Sequence, residues 1–167
     1  VGFCAGAGGG GDQVEAIDGQ GPGKLAQAAA RAGLNRFVLV SVFMDAWRGD
    51  QSPGAGFEQY MAAKRTADVD LATNLNFLIV RPGTLTQDDG TGLVNAGISV
   101  AYDEIPRDDV AAFIAASLFT PHLNRTAMEI TRGDTLSTMP SPHCNPTTEQ
   151  YWSRERPSNR STGKSTV

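Results

Sequence analysis

Two short, continuously apolar runs constrain this chain most. Arg36-Phe-Val-Leu-Val-Ser-Val42 and Asn76-Phe-Leu-Ile-Val80 are rich in β-branched and aromatic residues and show no polar alternation. A strand that is apolar on both faces belongs in a parallel sheet covered on both sides, not in a sheet with one wet face. Between them, Phe57 to Leu71 contains no Gly or Pro and reads as one helix. Parallel neighbours need such a crossover, so strand, helix, strand predicts an α/β sheet. The pattern starts earlier. Val1–Ala5 reads as a buried strand, followed by Gly6-Ala-Gly8-Gly-Gly-Gly11 and a short helix from Asp12 to Asp18 with Asp12 as its N-cap. Gly19, Gly21, Pro22 and Gly23 break that helix, and a second one runs from Pro22 to Ala32 with Gly33 just past its end. Downstream, Gly97–Tyr102 is a strand candidate. Pro106–Phe119 is a helix with Val110, Phe113, Ile114 and Leu118 as its apolar face and Asp108 and Asp109 at its positive end. Thr126–Thr131 alternates like a last, edge strand.

The totals exclude several classes of function. With 167 residues the chain can build one domain with a real core. The formal net charge is −4, and the basic tail from Ser141 onward leaves the body at −6, which argues against a nucleic-acid or anionic-membrane partner. No apolar run approaches the ~18 residues needed to span a bilayer. Two cysteines, Cys4 and Cys144, are no disulfide framework and make a reducing cytoplasm the default. His122 and His143 lack acidic or cysteine partners at ligand spacing, so no metal site is expected, and Asp88 and Asp89 read as solvated loop carboxylates. In the last 27 residues, fourteen are Ser, Thr, Pro or Asn, which predicts a disordered tail over 140–167 and confines the domain to 1–139. Thr162-Gly-Lys-Ser165 within it imitates the end of a phosphate loop, but without the earlier glycine or a following helix. The chain also starts without Met, inside an apolar run, and reads as cut rather than begun.

Candidate chemistry sits on the central helix. Tyr60, Lys64, Ala67 and Leu71 fall at i, i+4, i+7 and i+11 and share one stripe, which the two apolar residues mark as inward. A lysine on an inward face needs a polar reason to be there. A nearby ammonium favours the phenolate and lowers a tyrosine from its reference near ~10, which would let it trade protons with a carbonyl or alcohol. The alternative is a surface helix whose Tyr and Lys reach to water. Ser41 is the one polar side chain near the C-terminal end of its strand, where ligands sit in open α/β sheets; the alternative is a hydroxyl satisfied by backbone. Gly6, Gly8 and Gly11 fit a G-x-G-x-x-G spacing. The strand Arg36–Val42 lacks the acidic end residue of a primary dinucleotide fingerprint, with Asp45 three residues beyond it. The turn is then either a cofactor-side turn after a later strand or a tight turn only. Arg81-Pro82-Gly83-Thr84 ends the second apolar strand, with Pro82 closing the ladder and Gly83 letting backbone or ligand come close.

In order along the chain, Ile17-Asp18-Gly-Gln-Gly21, Arg36-Phe-Val-Leu-Val-Ser41, Tyr60-x-x-x-Lys64, Leu78-Ile-Val-Arg81-Pro82-Gly83, Gly90-Thr-Gly92 and Ile105-Pro-Arg-Asp-Asp109-Val-Ala111 resemble an atypical short-chain dehydrogenase/reductase of the NAD(P)-binding, epimerase/dehydratase-like branch. The resemblance covers roughly residues 1 to 139. It implies a Rossmann-like doubly wound parallel sheet with helices on both faces, whose first strand–helix units are missing here. It implies Tyr60 as general acid/base, Lys64 holding the nicotinamide ribose while lowering the Tyr60 pKa, and Ser41 orienting a substrate carbonyl. Gly6, Ala7 and Gly8 would line the cofactor, and Arg81, Pro82, Gly83 and Thr84 would flank the nicotinamide. The cofactor implied is NADP or NAD, although the glycine-rich pyrophosphate loop would precede Val1. The substrate implied is a small carbonyl or sugar-like molecule. The activity expected is hydride transfer with a Tyr/Lys proton relay. The alternatives are a cofactor-binding or redox-sensing protein without turnover, or an incomplete, inactive chain.

Overall fold

The computed structural model describes residues 1–8, 11–44, 54–72 and 76–136. Asp45 and residues 137–167, His143, Cys144 and Thr162–Ser165 included, lie outside them. Along the chain come β1 (Gly2–Phe3), α1 (Gly11–Val14), a π-helical segment (Glu15–Gly19), α2 (Gln20–Arg31), β2 (Arg36–Val40), α3 (Ala55–Ala72) and β3 (Asn76–Pro82). There follow β4 (Thr84–Thr86), β5 (Leu93–Gly97), β6 (Glu104–Pro106), α4 (Arg107–Leu118), β7 (Thr126–Arg132) and β8 (Thr135–Leu136).

The main sheet has the order β1-β2-β3-β7-β5-β8. β1, β2, β3 and β7 are parallel; β5 is antiparallel to β7, and β8 to β5. β2 and β3 pair in register from Arg36 opposite Asn76 to Val40 opposite Val80. Their side chains divide between two cores. Phe37, Leu39, Phe77 and Ile79 pack with Ala26 and Ala29 of α2 and Ala67 and Leu71 of α3. Val38, Leu78 and Val80 pack with Val110 and Phe113 of α4. That period-2 division is why both strands are apolar throughout. Burying each such side chain contributes about 1.5–3 kcal/mol. The expected α/β fold with helices on both faces is therefore present, with an antiparallel margin. Among the described residues, β1 is the outermost strand on its side.

Four expectations change. Gly19, Gly21, Pro22 and Gly23 do not break the helix: α1, the π segment and α2 run on continuously from Gly11 to Arg31. The Gln20 N–H bonds to the Glu15 carbonyl, the wide i→i−5 closure in which a proline's missing donor is tolerated. Gly21 is needed because a Cβ there would come within 2.9 Å of the Phe3 ring. Second, the strand near residue 97 is Leu93–Gly97, and 98–102 form no strand. Third, β7 is an interior strand, not an edge, flanked by β3 and β5, with Met128, Ile130 and Thr131 buried. Fourth, Leu118 is 48% exposed, and Leu123 beyond the helix joins Val110 and Phe113 instead. Gly33 does follow α2 in the left-handed region, at φ 73°, as a helix-ending glycine should. No helix among the described residues is long and apolar enough to cross a membrane.

Candidate active site

A cavity of about 350 Å³ opens at the C-terminal ends of β1, β2 and β3. Cys4, Ala5 and Gly6 form one wall, and Ser41 and Val42 the floor. Tyr60 and Lys64 of α3 face them, and Pro82, Gly83 and Leu85 close the far side. The C-terminal ends of three parallel strands create this crevice, which is where α/β sheets bind ligands.

α3 delivers its inward stripe as expected. Ala67 and Leu71 are fully buried, Tyr60 is half-buried, and Lys64 is only 4% exposed. The lysine is therefore not a surface residue reaching to water. Its Nζ lies 3.0 Å from Asp18 Oδ1 and donates to the Val40 carbonyl at 3.4 Å. Asp18 is fully buried in the π segment, and its Oδ2 accepts the Ala7 N–H at 3.0 Å. One carboxylate thus joins the glycine turn to α3. Asp18 stood inside a recognised motif, but nothing in its spacing marked it as the partner of Lys64, 46 positions on.

The expected electrostatics of Tyr60 are reversed. Burial, and after it the Asp18 carboxylate, push its phenol up to about 12. Lys64 Nζ lies 3.0 Å from Asp18 Oδ1 and 5.6 Å from the Tyr60 ring centroid, over the ring and not beside the hydroxyl as a lowering partner would be.

Ser41 is 3% exposed and lines the cavity; its Oγ has no hydrogen-bond partner in standard geometry. Behind it lies Asp68 of α3, whose Oδ2 takes Arg81 Nε at 3.2 Å and Nη2 at 2.9 Å. Burial pushes the Asp68 carboxyl up, against the opposing pull of the Ser41 hydroxyl and the Arg81 and Lys64 cations.

Of the residues expected around a cofactor, Gly6, Lys64, Pro82 and Gly83 meet at the cavity. Ala7 contributes its N–H to Asp18, and Gly8 has the left-handed φ of 61° that its turn requires. Arg81 and Thr84 do not line it: Arg81 is held by Asp68, and the Thr84 hydroxyl lies 2.7 Å from that of Tyr102. Gly83 is glycine for a backbone reason, since a Cβ would collide with the Asp103 carbonyl oxygen, which accepts the Thr84 N–H.

A buried hydroxyl, a buried ammonium and a half-buried phenol around one crevice suit a polarised oxygen and its proton. Residues 1–121 match the model of an NAD(P)H-binding family. The chain is 38% identical over 136 residues to the uncharacterised sugar epimerase YhfK of Bacillus subtilis, covering 80% of this chain and 63% of that protein. It is 38% identical over 128 residues to a UPF0659 protein of Saccharomyces cerevisiae, covering 72% of this chain and 56% of that one. A proposed NAD-dependent epimerase/dehydratase of Bacillus halodurans superposes with a TM-score of 0.74 at 36% identity, covering 83% of this chain and 66% of that one. The chain thus spans about six-tenths of the length of the curated relatives it matches. With the sheet, the crevice at its strand ends and these matches together, the chain belongs to the NAD(P)H-binding, atypical short-chain dehydrogenase/reductase family.

Proposed function

We propose that this chain carries the catalytic part of an NAD(P)H-dependent oxidoreductase or epimerase-type site that acts on a small carbonyl or sugar-like molecule. The observation that carries this reading is the convergence of Tyr60, Lys64 and Ser41 on one cavity at the strand ends. The sugar-epimerase name of the Bacillus subtilis relative supports the substrate class. The lining fits the nicotinamide-ribose half of the cofactor: Gly6 presents no side chain, and Ser41 and Lys64 bring a hydroxyl and an ammonium to the cavity wall. Gly6, Lys64, Pro82 and Gly83 would hold that half. When bound in reduced form, the cofactor supplies a hydride. Ser41 donates to the substrate carbonyl oxygen and fixes its direction. A carbonyl oxygen held there would take the Tyr60 phenolic proton as its carbon is reduced. The resulting phenolate is reprotonated from water at the cavity mouth.

Replacing Tyr60 by Phe tests this. It removes one oxygen from a half-buried site and is expected to lower turnover about 10²-fold or more, with NAD(P)H affinity unchanged. Binding is followed by nucleotide fluorescence, with NADH and NADPH titrated separately to decide between them. Unchanged turnover of every accepted carbonyl in Tyr60→Phe would remove the catalytic role. A second reading, cofactor binding without turnover, is favoured by the neutralisation of Lys64 by Asp18. Tight nucleotide binding with no activity across a carbonyl panel would select it.

A further inference from the structure

The cavity has two chemically different parts. Ser41, Tyr60 and Lys64 supply its polar side chains, while Val42 and, on the far side, Pro82 and Leu85 are apolar. Leu85 is 39% exposed, a large apolar side chain left uncovered where it borders the crevice. Exposed apolar surface in a concave site marks where a ligand lies. The polar side chains next to Leu85 do not share its face. β4 alternates, so Thr84 and Thr86 point away from the side that Leu85 presents to the cavity. The Thr84 hydroxyl lies 2.7 Å from that of Tyr102, and the Thr86 hydroxyl donates to Asp88 at 3.1 Å. Arg107 donates to the carbonyls of Leu85 and Thr86, at 3.3 and 2.9 Å, and so fixes the segment that carries Leu85. Pairing of Leu85 with Ile105 ties that segment to β6. Tyr102 links it to Phe43, just past β2, through an edge contact with ring centroids 5.2 Å apart. Leu85 is thus held at the cavity from several elements at once.

We propose that Val42 and Leu85 form the substrate subsite, and that it takes the apolar body of an aliphatic or aromatic ketone or aldehyde in preference to a hydroxyl-rich sugar. This rests on the reading that a carbonyl is reduced by NAD(P)H beside Tyr60, and it selects the first of that reading's two substrate classes. Gly6, Lys64, Pro82 and Gly83 are given to the nicotinamide ribose, and Ser41 and Tyr60 to the carbonyl oxygen. The lining left for the rest of the substrate is Cys4, Ala5, Val40, Val42 and Leu85. Four of these are apolar, and the fifth is a thiol, a weak hydrogen-bonding group. Sugar hydroxyls need acceptors and donors such as carboxylates, amides and guanidinium groups. Among the described residues that line the cavity there is no Asp, Glu, Asn, Gln or Arg. A hydroxyl placed against Val42 and Leu85 gives up water and gains no partner. A methyl group or an aromatic edge gains by leaving water and covers Leu85. At about 350 Å³ the cavity lies toward the small end of ligand sites, so the substrate body beside the nicotinamide is small and the few side chains that touch it decide what is accepted.

The experiment compares pentan-3-one with 1,3-dihydroxyacetone, which match in heavy atoms and differ by a hydroxyl in place of each terminal methyl. Leucine and valine methyl groups of the full chain are labelled with ¹³C, and Leu85 is assigned by the signals missing in Leu85→Ala. Without nucleotide or turnover, pentan-3-one is expected to shift the Leu85 methyl signals at concentrations about tenfold lower than dihydroxyacetone does. In turnover with NAD(P)H, kcat/KM is expected to favour pentan-3-one by about 10–100-fold. Leu85→Asn, at a side chain exposed enough to spare the fold, is expected to shrink that preference about fivefold or more, chiefly through KM. Dihydroxyacetone bound as tightly as pentan-3-one, or Leu85 signals that neither compound moves, overturns the proposal. So does a preference unchanged in Leu85→Asn. Failure of the carbonyl-reduction reading would appear separately, as unchanged turnover in Tyr60→Phe with the Leu85 shifts intact.

Discussion

α3 carries a base and an acid one turn apart, Lys64 and Asp68, and the two do not pair with each other. Lys64 reaches back to Asp18, and Asp68 reaches forward to Arg81 of β3. The pairs have the same charges and nearly the same length, 3.0 and 2.9 Å, yet they differ in kind. The Arg81 fork gives two N–H bonds to one carboxylate oxygen, with the guanidinium 23% exposed, so it straps helix to sheet and keeps some water. In the other pair both side chains are enclosed, at 4% and 0% exposure. Asp18 Oδ1 meets Lys64 without good hydrogen-bond alignment, so charge more than direction holds them together. A buried pair of that sort adds little net stability over an apolar pair of similar shape, but losing one partner is costly. Its place at the cavity, against the phenol, fits a functional reason better than a structural one.

The largest break in this comparison is Lys64→Met, which strands the Asp18 carboxylate and is expected to cost about 3–5 kcal/mol by urea denaturation. Adding Asp18→Asn to it should recover most of that loss, since two neutral groups then replace two charges. No recovery in the double variant would mean that the two side chains do not act as a unit. Arg81→Met is expected to cost less, about 1–2 kcal/mol, because water still reaches the guanidinium site. Equal losses for Arg81→Met and Lys64→Met would erase the distinction between strap and buried pair.

A third carboxylate sharpens it further. Asp109 at the start of α4 is buried, but it accepts the Thr91 N–H and hydroxyl and the Gly92 N–H instead of pairing closely with a cation. Burial raises its pKa, but these donors, with Arg132 at longer range, hold it below the usual carboxylate range. Its contribution is therefore present above the unfolded value near ~3.9 and lost as pH falls through its lower folded value. Asp68 is raised, so its sign is opposite: the stability that it contributes is greatest below ~3.9 and is lost as pH rises through its folded value. Denaturation from pH 7 downward should show the wild-type advantage over Asp109→Asn shrinking on acidification. The corresponding difference for Asp68→Asn should move the other way. Parallel slopes would contradict the assigned directions.

Much of this fold is legible in sequence because it is periodic or punctuated. Phe37 and Leu39 face one core and Val38 the other, and any strand with two covered faces must be apolar at each of those positions. The stripe Tyr60–Lys64–Ala67–Leu71 follows from 3.6-residue geometry alone. Local breakers were less informative. Gly19, Gly21, Pro22 and Gly23 are weak helix formers, but a π turn accommodates the proline, and Phe3 packing explains Gly21. The place of β7 inside the sheet was hidden as well, because its neighbours come from distant segments.

The sequence by itself determined the α/β class, the parallel strands β2 and β3, the helix between them and the inward face that carries Tyr60 and Lys64. Those follow from spacings within single elements, where geometry is local. Only the tertiary structure decided what Lys64 does there. Asp18, Val40 and Lys64 come from three elements, and which charge neutralises which depends on distances of a few ångströms that no spacing encodes. Sequence predicts a lysine that activates its tyrosine. The folded chain adds a buried aspartate, 3.0 Å from the lysine, whose place beside it no spacing announces.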